Sequence, residues 1–470
     1  MKRRYGQKLA WLGLLALLLR CARSPDTAAF VGTGQPSTSA AAGVRAGPAA
    51  AAAAPAPSAA APPRSTASAE PSEPALPAGA EFVAVGRHWA SLRRVCALTP
   101  LGEALYAAHA YGALSIDGAT ITRYAPNAEK PFALAFDWNR RGQPVKGGGA
   151  GQGFIRLRAI GGRLYLPDAD PPYVGFRLSG KGIEGYVFVS DSDGKFARSR
   201  HPGHLPPAQP TNEAPGAALL PYAYHVFDVT RFRGQLYASG GAHAPGGAAP
   251  GALFAATDGG WRWEPVAHFP DPPDRHVWRL TFMTVFGDRL YAGVETFAAG
   301  DPTDYVSFAL GAGATHLTSA DGHAVHKAVE GGATTLRWRV DAGRLFWIAS
   351  HAHGTTLQVS RDGVTWSRIA LPVEAGPPLD LIRFRGALMI LTERRLLQLR
   401  GSELIEVARV EGEKSPFELD DLYCPAPLGV FKGELYAGGQ RKGRLYRLTW
   451  PEETRAVDPG KSGEAQATGR

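Results

Sequence analysis

Three features of this 470-residue sequence predict an all-β fold, a seven-bladed β-propeller of four-stranded blades. A short hairpin phrase recurs seven times, an Asp-Gly turn motif follows most copies, and the interval between copies suits one four-stranded sheet each. The phrase is clearest in FRGQLYASGG (Phe232–Gly241) and FKGELYAGG (Phe431–Gly439).

Before the repeats come two segments of another kind. Residues 1–23 read as a signal peptide: Lys2, Arg3 and Arg4 precede the apolar run Leu12–Leu19, and Cys21 follows. At roughly ten apolar residues the run is too short for a permanent membrane span. The order resembles a bacterial lipoprotein signal, which implies that Cys21 is lipidated. Arg20 departs from the small residue of that pattern, and a secretory peptide cut slightly later is the alternative. Residues 24–80 are almost wholly Ala, Pro, Ser, Thr and Gly, as in AAAAAAPAPSAAAPP (Ala49–Pro63). Such a segment cannot bury enough apolar surface to offset the entropy of ordering, so it is expected to be a disordered, semi-stiff tether.

The repeats occupy 81–452. Aligned on Leu105, Leu164, Leu236, Leu290, Leu345, Leu388 and Leu435, the copies are spaced by 59, 72, 54, 55, 43 and 47 residues. Each has an apolar strand, a Gly-centred turn and a second β-type strand, which is a hairpin signature. The second motif reads SIDGATI (Ser115–Ile121), SDSDGKF (Ser190–Phe196), ATDGGWRW (Ala256–Trp263), SADGHAV (Ser319–Val325) and SRDGVTW (Ser360–Trp366), and it decays in the last two copies. Asp-Gly makes a tight turn because Gly accepts positive φ and Asp bonds the backbone beyond it. Two hairpin turns per unit mean four strands, named A to D from the centre outwards.

These turns resemble those of the Asp-box propellers, the sialidase-like group. The resemblance covers Glu81 to about Pro451 and implies the propeller fold. It says little of activity, since the motif is a turn device remote from any reacting group.

The seventh copy has room for three strands. EFVAVGRH (Glu81–His88) is expected to supply the fourth and close the ring, removing a free sheet edge. Closure brings the first and last blades together, and with them Cys96 and Cys424. In an oxidising compartment these form a disulfide; otherwise they stay buried thiols. Residues 453–470 read as a disordered tail.

Tight A–B and C–D turns share one face. The B–C and D–A connections form the other, and there Asp137–Gly153, Asp168–Gly182, Arg198–Gly216 and Ser239–Gly251 are long. Long surface loops commonly carry function, so the long-loop face of blades 1–4 is the candidate working face. Eight residues before the aligned Leu stand Arg156, Asp228, Arg337 and Asp380. With insertions allowed in blades 1, 4 and 7, Arg94, Arg279 and Asp421 fill the same slot. This predicts a ring at the channel mouth on the long-loop face. It either grips an anionic or polyhydroxyl ligand or neutralises itself around a wet channel.

Other chemistry finds weaker support. The resemblance raises a sialidase-like hydrolase or lyase, with Arg156, Arg279 and Arg337 gripping a carboxylate and Glu295 and Tyr305 in a plausible loop. The family's Phe-Arg-Ile-Pro segment has no equivalent in Glu81–Val95. His109, His243, His351 and His353 lack spacing that enforces metal ligation. Trp138, Trp278 and Trp347 suit packing between blades, or sugar stacking. Despite +9 formal charge, no basic run marks a nucleic-acid arm. The expectation is an exported, monomeric, non-catalytic binding module without metal or cofactor, touching the membrane only through its anchor and binding a protein or glycan.

Overall fold

A computed structural model describes residues 74–87, 92, 94–110, 119–138, 153–169, 184–198, 209–221, 223–242, 251–268, 278–296, 303–317 and 323–451. The signal segment with Cys21, the tether up to residue 73 and the tail lie outside them.

Seven four-stranded antiparallel sheets are arranged as the blades of a propeller. Their inner strands are Arg94–Leu101, Arg158–Ile160, Ala223–Phe232, Trp278–Phe286, Thr334–Asp341, Pro378–Phe384 and Leu428–Phe431. The seventh blade takes its outer strand from the chain start: Glu81–Gly86 pairs antiparallel with Leu445–Thr449, Glu81 opposite Thr449. The ring is thus closed by backbone hydrogen bonds between the two ends of the repeat region, and no strand of that blade is left open inward. Pro74–Ala80, assigned to the tether on composition, lies against blades 6 and 7. The buried Gln398 amide donates to Pro74 O (2.7 Å) and accepts from Leu76 N (3.0 Å). Ala80 N donates to Val407 O (3.0 Å) and Trp450 Nε1 to Pro77 O (2.9 Å).

The two repeated motifs turn out to be halves of one inter-blade joint. Tyr106, which follows the aligned Leu of blade 1, donates to Asp193 O in the Asp-Gly turn of blade 2 (3.1 Å). Tyr237 of blade 3 accepts from Leu317 N in the C–D connection of blade 4 (2.9 Å). Tyr291 of blade 4 reaches Asp362 O in blade 5 (3.5 Å), and Tyr305 donates to Gly363 O there (2.9 Å). That blade-5 turn is internally braced. Asp362 Oδ1 accepts from Val364 N (2.8 Å) and Thr365 N (2.7 Å), and Ser360 Oγ accepts from Gly363 N (2.8 Å). These amides hold the Asp362 carboxyl well below the usual carboxylate range. Gly363 is required twice over: its φ is +74°, and a Cβ there would stand 2.1 Å from Tyr291 Oη.

Strand order corrects two sequence assignments. Ser115–Ile121 begins in the B–C connection of blade 1, since it falls between strands Ala104–Ala110 and Thr120–Tyr124; the C–D turn is the stretch from Tyr124 to Phe132. Arg198–Gly216 is a C–D connection of blade 2, not D–A, because it lies between Glu184–Val189 and Gly216–Pro221. The true D–A passage leaves only Tyr222 before the inner strand of blade 3. Both errors come from reading connection type off turn composition, which does not count strands. The other three long connections fall largely outside the described residues.

Candidate functional site

The axis is closed midway by an apolar plug of Cys96, Ala110, Ile155, Ala169, Phe227, Phe282 and Cys424, with Tyr423 and Trp338 partly buried against it. Phe227 and Phe282 meet edge to face, centroids 6.2 Å apart. Cys96 and Cys424 form a disulfide, Cα–Cα 4.5 Å, joining blade 1 to the loop that enters the inner strand of blade 7. A disulfide persists in an oxidising compartment, so this bond points to an extracytoplasmic protein.

The predicted ring of seven charges divides into two tiers on opposite sides of this plug. The register shows why. Asp228 pairs with Ser239, Arg337 with Ile348 and Asp380 with Leu391, each partner three residues past the aligned Leu. At that same level blade 1 has Ala97, paired with Ala108, and blade 7 has Pro427, whose carbonyl accepts from Gly438 N. Blade 4 has Phe282, within the irregularity between Leu280 and Met283. The insertions assumed for blades 1, 4 and 7 do not exist. Arg94, paired with Ala110, and Arg279, paired with Glu295, lie one level nearer the long-loop face. Asp421 lies in the loop before the inner strand of blade 7.

The long-loop tier forms a rim over the plug. Arg94 Nη1 bonds Asp421 Oδ2 (2.7 Å) and its Nη2 bonds Asp420 Oδ2 (2.9 Å), with Asp420 65% exposed. Arg279 Nη1 meets Glu295 Oε2 at 3.2 Å. Tyr423 lies over Phe227 and Phe282, centroids 5.5 and 6.4 Å away. Burial first, then the negative charge of Glu295, pushes the Tyr423 phenol well above its ordinary value, so it stays protonated.

The other tier lines a cavity of about 450 Å³, walled by the inner-strand stretches that run down to the A–B turns. It therefore opens on the tight-turn face, contrary to the expected direction. Asp228, fully buried, takes Arg158 in a two-pronged pair: Nε to Oδ1 at 2.9 Å and Nη2 to Oδ2 at 2.6 Å. Met283 N donates to Asp228 Oδ2 (2.9 Å). Burial pushes this carboxyl up, but Arg158, then Arg156 and the Met283 amide, outweigh it and hold it below the usual range. Arg337 donates to Cys96 O (2.9 Å) and Pro425 O (3.0 Å), and its Nε stands 3.5 Å from Asp380 Oδ1. Asp380 Oδ2 accepts from Leu428 N (2.7 Å). Arg383 is held by both Asp341 oxygens at 2.6 Å. Among the described residues Arg156 has no carboxylate at ion-pair distance. It lies over the Phe282 ring, Cζ 3.9 Å from the centroid, and gives one long bond to Leu336 O (3.3 Å).

Sequence reading missed Arg158, Arg339 and Arg383 of the cavity and Asp420 and Tyr423 of the rim. Period-two alternation was the available signal for two of them: Arg158 and Arg339 lie two residues past Arg156 and Arg337. Glu295 and Tyr305 lie on adjacent strands of blade 4, not in a loop, and Tyr305 is fully buried in the core and stacks on His326 (4.4 Å). Trp138 and Trp347 are buried packing residues, against Phe154 and Trp338 respectively, while the Trp278 side chain and His243 lie outside the described residues. His109 bonds Arg94 O (2.9 Å) and Thr122 Oγ1 (2.8 Å), which ties two strands together. Among the described residues no group of three or more His, Cys, Asp or Glu is placed to hold a metal ion.

No family model and no curated protein matches the chain. Solved propellers do. A streptogramin B lyase is 9% identical, covering 78% of this chain and 97% of its own, with a TM-score of 0.47. BamB from Moraxella catarrhalis is 11% identical, covering 79% and 98%, with a TM-score of 0.39. An α-L-arabinanase from Penicillium chrysogenum is 10% identical, covering 80% and 99%, with a TM-score of 0.37. These likenesses are to the propeller architecture, which enzymes and binding proteins share.

Proposed function

We propose that the protein is an extracytoplasmic, non-catalytic binding module, tethered at the envelope through its N-terminal segment, that takes a protein or glycan at the long-loop mouth of the axis. The rim just described supports this. Arg94, Asp420, Asp421, Arg279 and Glu295 present polar groups beside the partly buried Tyr423, which packs on the buried Phe227 and Phe282. An aromatic ring edged by paired charges suits recognition of sugars or polypeptide, because it offers apolar contact and hydrogen bonds at one place. The test is binding of the full-length protein to a glycan array and to isolated envelope proteins, beside Arg94→Ala and Arg279→Ala. We expect at least about tenfold weaker binding in both variants, the loss of about 1.4 kcal/mol. Binding indifferent to both would remove the rim from the site.

One observation favours a second reading, a glycan-active hydrolase at the same mouth. Tyr423 interacts with Glu295, which Arg279 holds, and a phenol kept protonated can act as a nucleophile only if such a carboxylate takes its proton in the reaction. Release of a chromophore from an acidic aryl glycoside, abolished in Tyr423→Phe, would establish it. Binding without turnover leaves the first reading standing.

A further inference from the structure

The cavity on the tight-turn face holds more positive charge than its carboxylates answer. Its lining carries Arg156, Arg158, Arg337, Arg339 and Arg383 against Asp380. Asp228 and Asp341 stand behind it and are engaged by Arg158 and Arg383. Arg337 is spent on backbone carbonyls and Asp380. That leaves Arg156, which is 9% exposed, with no carboxylate at ion-pair distance among the described residues, where its buried Nε and the buried Nε of Arg339 also lack a hydrogen-bond partner. A guanidinium cannot escape by losing its proton in the way a buried Lys does, so a buried one needs an anion or a full set of acceptors. Arg156 has neither. Burial first, and the neighbouring Arg337 second, press its proton affinity well below the ordinary value, as expected of a cation awaiting a counter-charge.

We propose that this cavity is a binding site for an oxyanion, the carboxylate or phosphate group of a small molecule, with Arg156 as its main contact and Arg339 beside it. The cavity volume is within the range of ordinary small-molecule sites. The planar donor fork of Arg matches both oxyanions bidentately. The Phe282 ring lies against one face of the Arg156 guanidinium and fixes its orientation. This site lies across the plug from the rim and does not depend on the rim's role.

The experiment is thermal unfolding of the purified full-length protein in chloride buffer, titrated with inorganic phosphate or with citrate at matched ionic strength. One of the two is expected to raise Tm saturably by about 4 °C, and which one does so assigns the chemistry. Arg156→Met abolishes the rise and Arg262→Met, at an exposed arginine on the outer strand of blade 3, keeps it. Crystals soaked in selenate provide a second measurement, independent of any variant: an anomalous peak within hydrogen-bond distance of Arg156. A rise that chloride matches, a rise that survives Arg156→Met, or a cavity without a selenate peak overturns the proposal.

Discussion

On the long-loop side of the Phe227–Phe282 plug, Arg94 and Arg279 each meet a carboxylate, and Asp420 is 65% exposed. On the tight-turn side the arginines are more numerous than the acids that face them, and Asp228 is wholly buried. Both tiers descend from the same seven inner strands. At the rim, water screens Asp420, whose pair contributes little, whereas Arg279 and Glu295 form a largely buried pair that keeps both its charges answered. In the cavity, desolvation dominates, so a pair such as Arg158–Asp228 is costly to break and an unpaired Arg156 is costly to keep. The comparison teaches that position relative to the plug, more than residue type, decides what a charge does in this axis.

Four measurements break or sharpen that contrast. The largest effect is expected from removing the disulfide that joins blades 1 and 7 within the plug. Cys96→Ala with Cys424→Ala should lose about 3–5 kcal/mol, read from the guanidinium midpoint, because the bond closes a very long loop of the unfolded chain. An unchanged midpoint would mean that the aromatic residues hold the plug without it. Next comes Asp228→Asn, which strands Arg158 and weakens the acceptor for Met283 N. About 2–3 kcal/mol is expected, below the usual cost for a buried pair because Arg158 keeps 38% of its side chain in water. The pH dependence separates this from simple mispacking. The Asp228 carboxyl is held below its usual range in the folded protein. Its contribution is therefore present above the unfolded value of about 3.9 and is lost as pH falls through the lower, folded one. Acid unfolding of Asp228→Asn should lack that component, and a parallel acid profile would contradict the assignment.

Smaller effects belong to the rim. Glu295→Gln should cost about 1–2 kcal/mol in urea unfolding, since Glu295 and Arg279 are 15% and 12% exposed. Asp420→Asn should move stability by no more than about 0.5 kcal/mol, because the carboxylate is mostly in water and Asp421 remains on Arg94. If Asp420→Asn costs as much as Asp228→Asn, the two sides of the plug do not differ as described.

Much of the fold was legible in the chain. Gly363 and Gly194 mark turns with φ near +75°, and in blades 1, 3 and 4 the Tyr after the aligned Leu marks the strand that packs on the next blade's C–D connection. What could not be read was that these two marks meet: Tyr106 touches the turn of the following blade, not its own. Of the candidate site, the register puts Asp228, Arg337 and Asp380 at one level, whereas Arg94 and Arg279 lie at another and Asp421 in a loop. The obstacle is a backbone irregularity in the inner strands, between Val95 and Ala97, Tyr224 and Asp228, Leu280 and Met283, Thr335 and Arg337, and Pro378 and Asp380. A bulge changes which residue faces which without changing composition, so residue counting upstream of it loses the register.

The sequence by itself determined the blade count, the hairpin in each blade and the closing role of Glu81–Gly86, and it brought Cys96 and Cys424 into neighbouring blades while leaving open whether they bond. These follow from turn chemistry and strand order, which are local or set by counting. Only the tertiary structure decided that the axis is plugged, that Arg94 and Arg156 lie on opposite sides of the plug, and that Arg158 has its carboxylate while Arg156 does not. Those facts depend on bulges and on side chains brought together from blades more than a hundred residues apart, as Arg156 and Leu336 are, with a separation of 180. No local pattern encodes such a meeting.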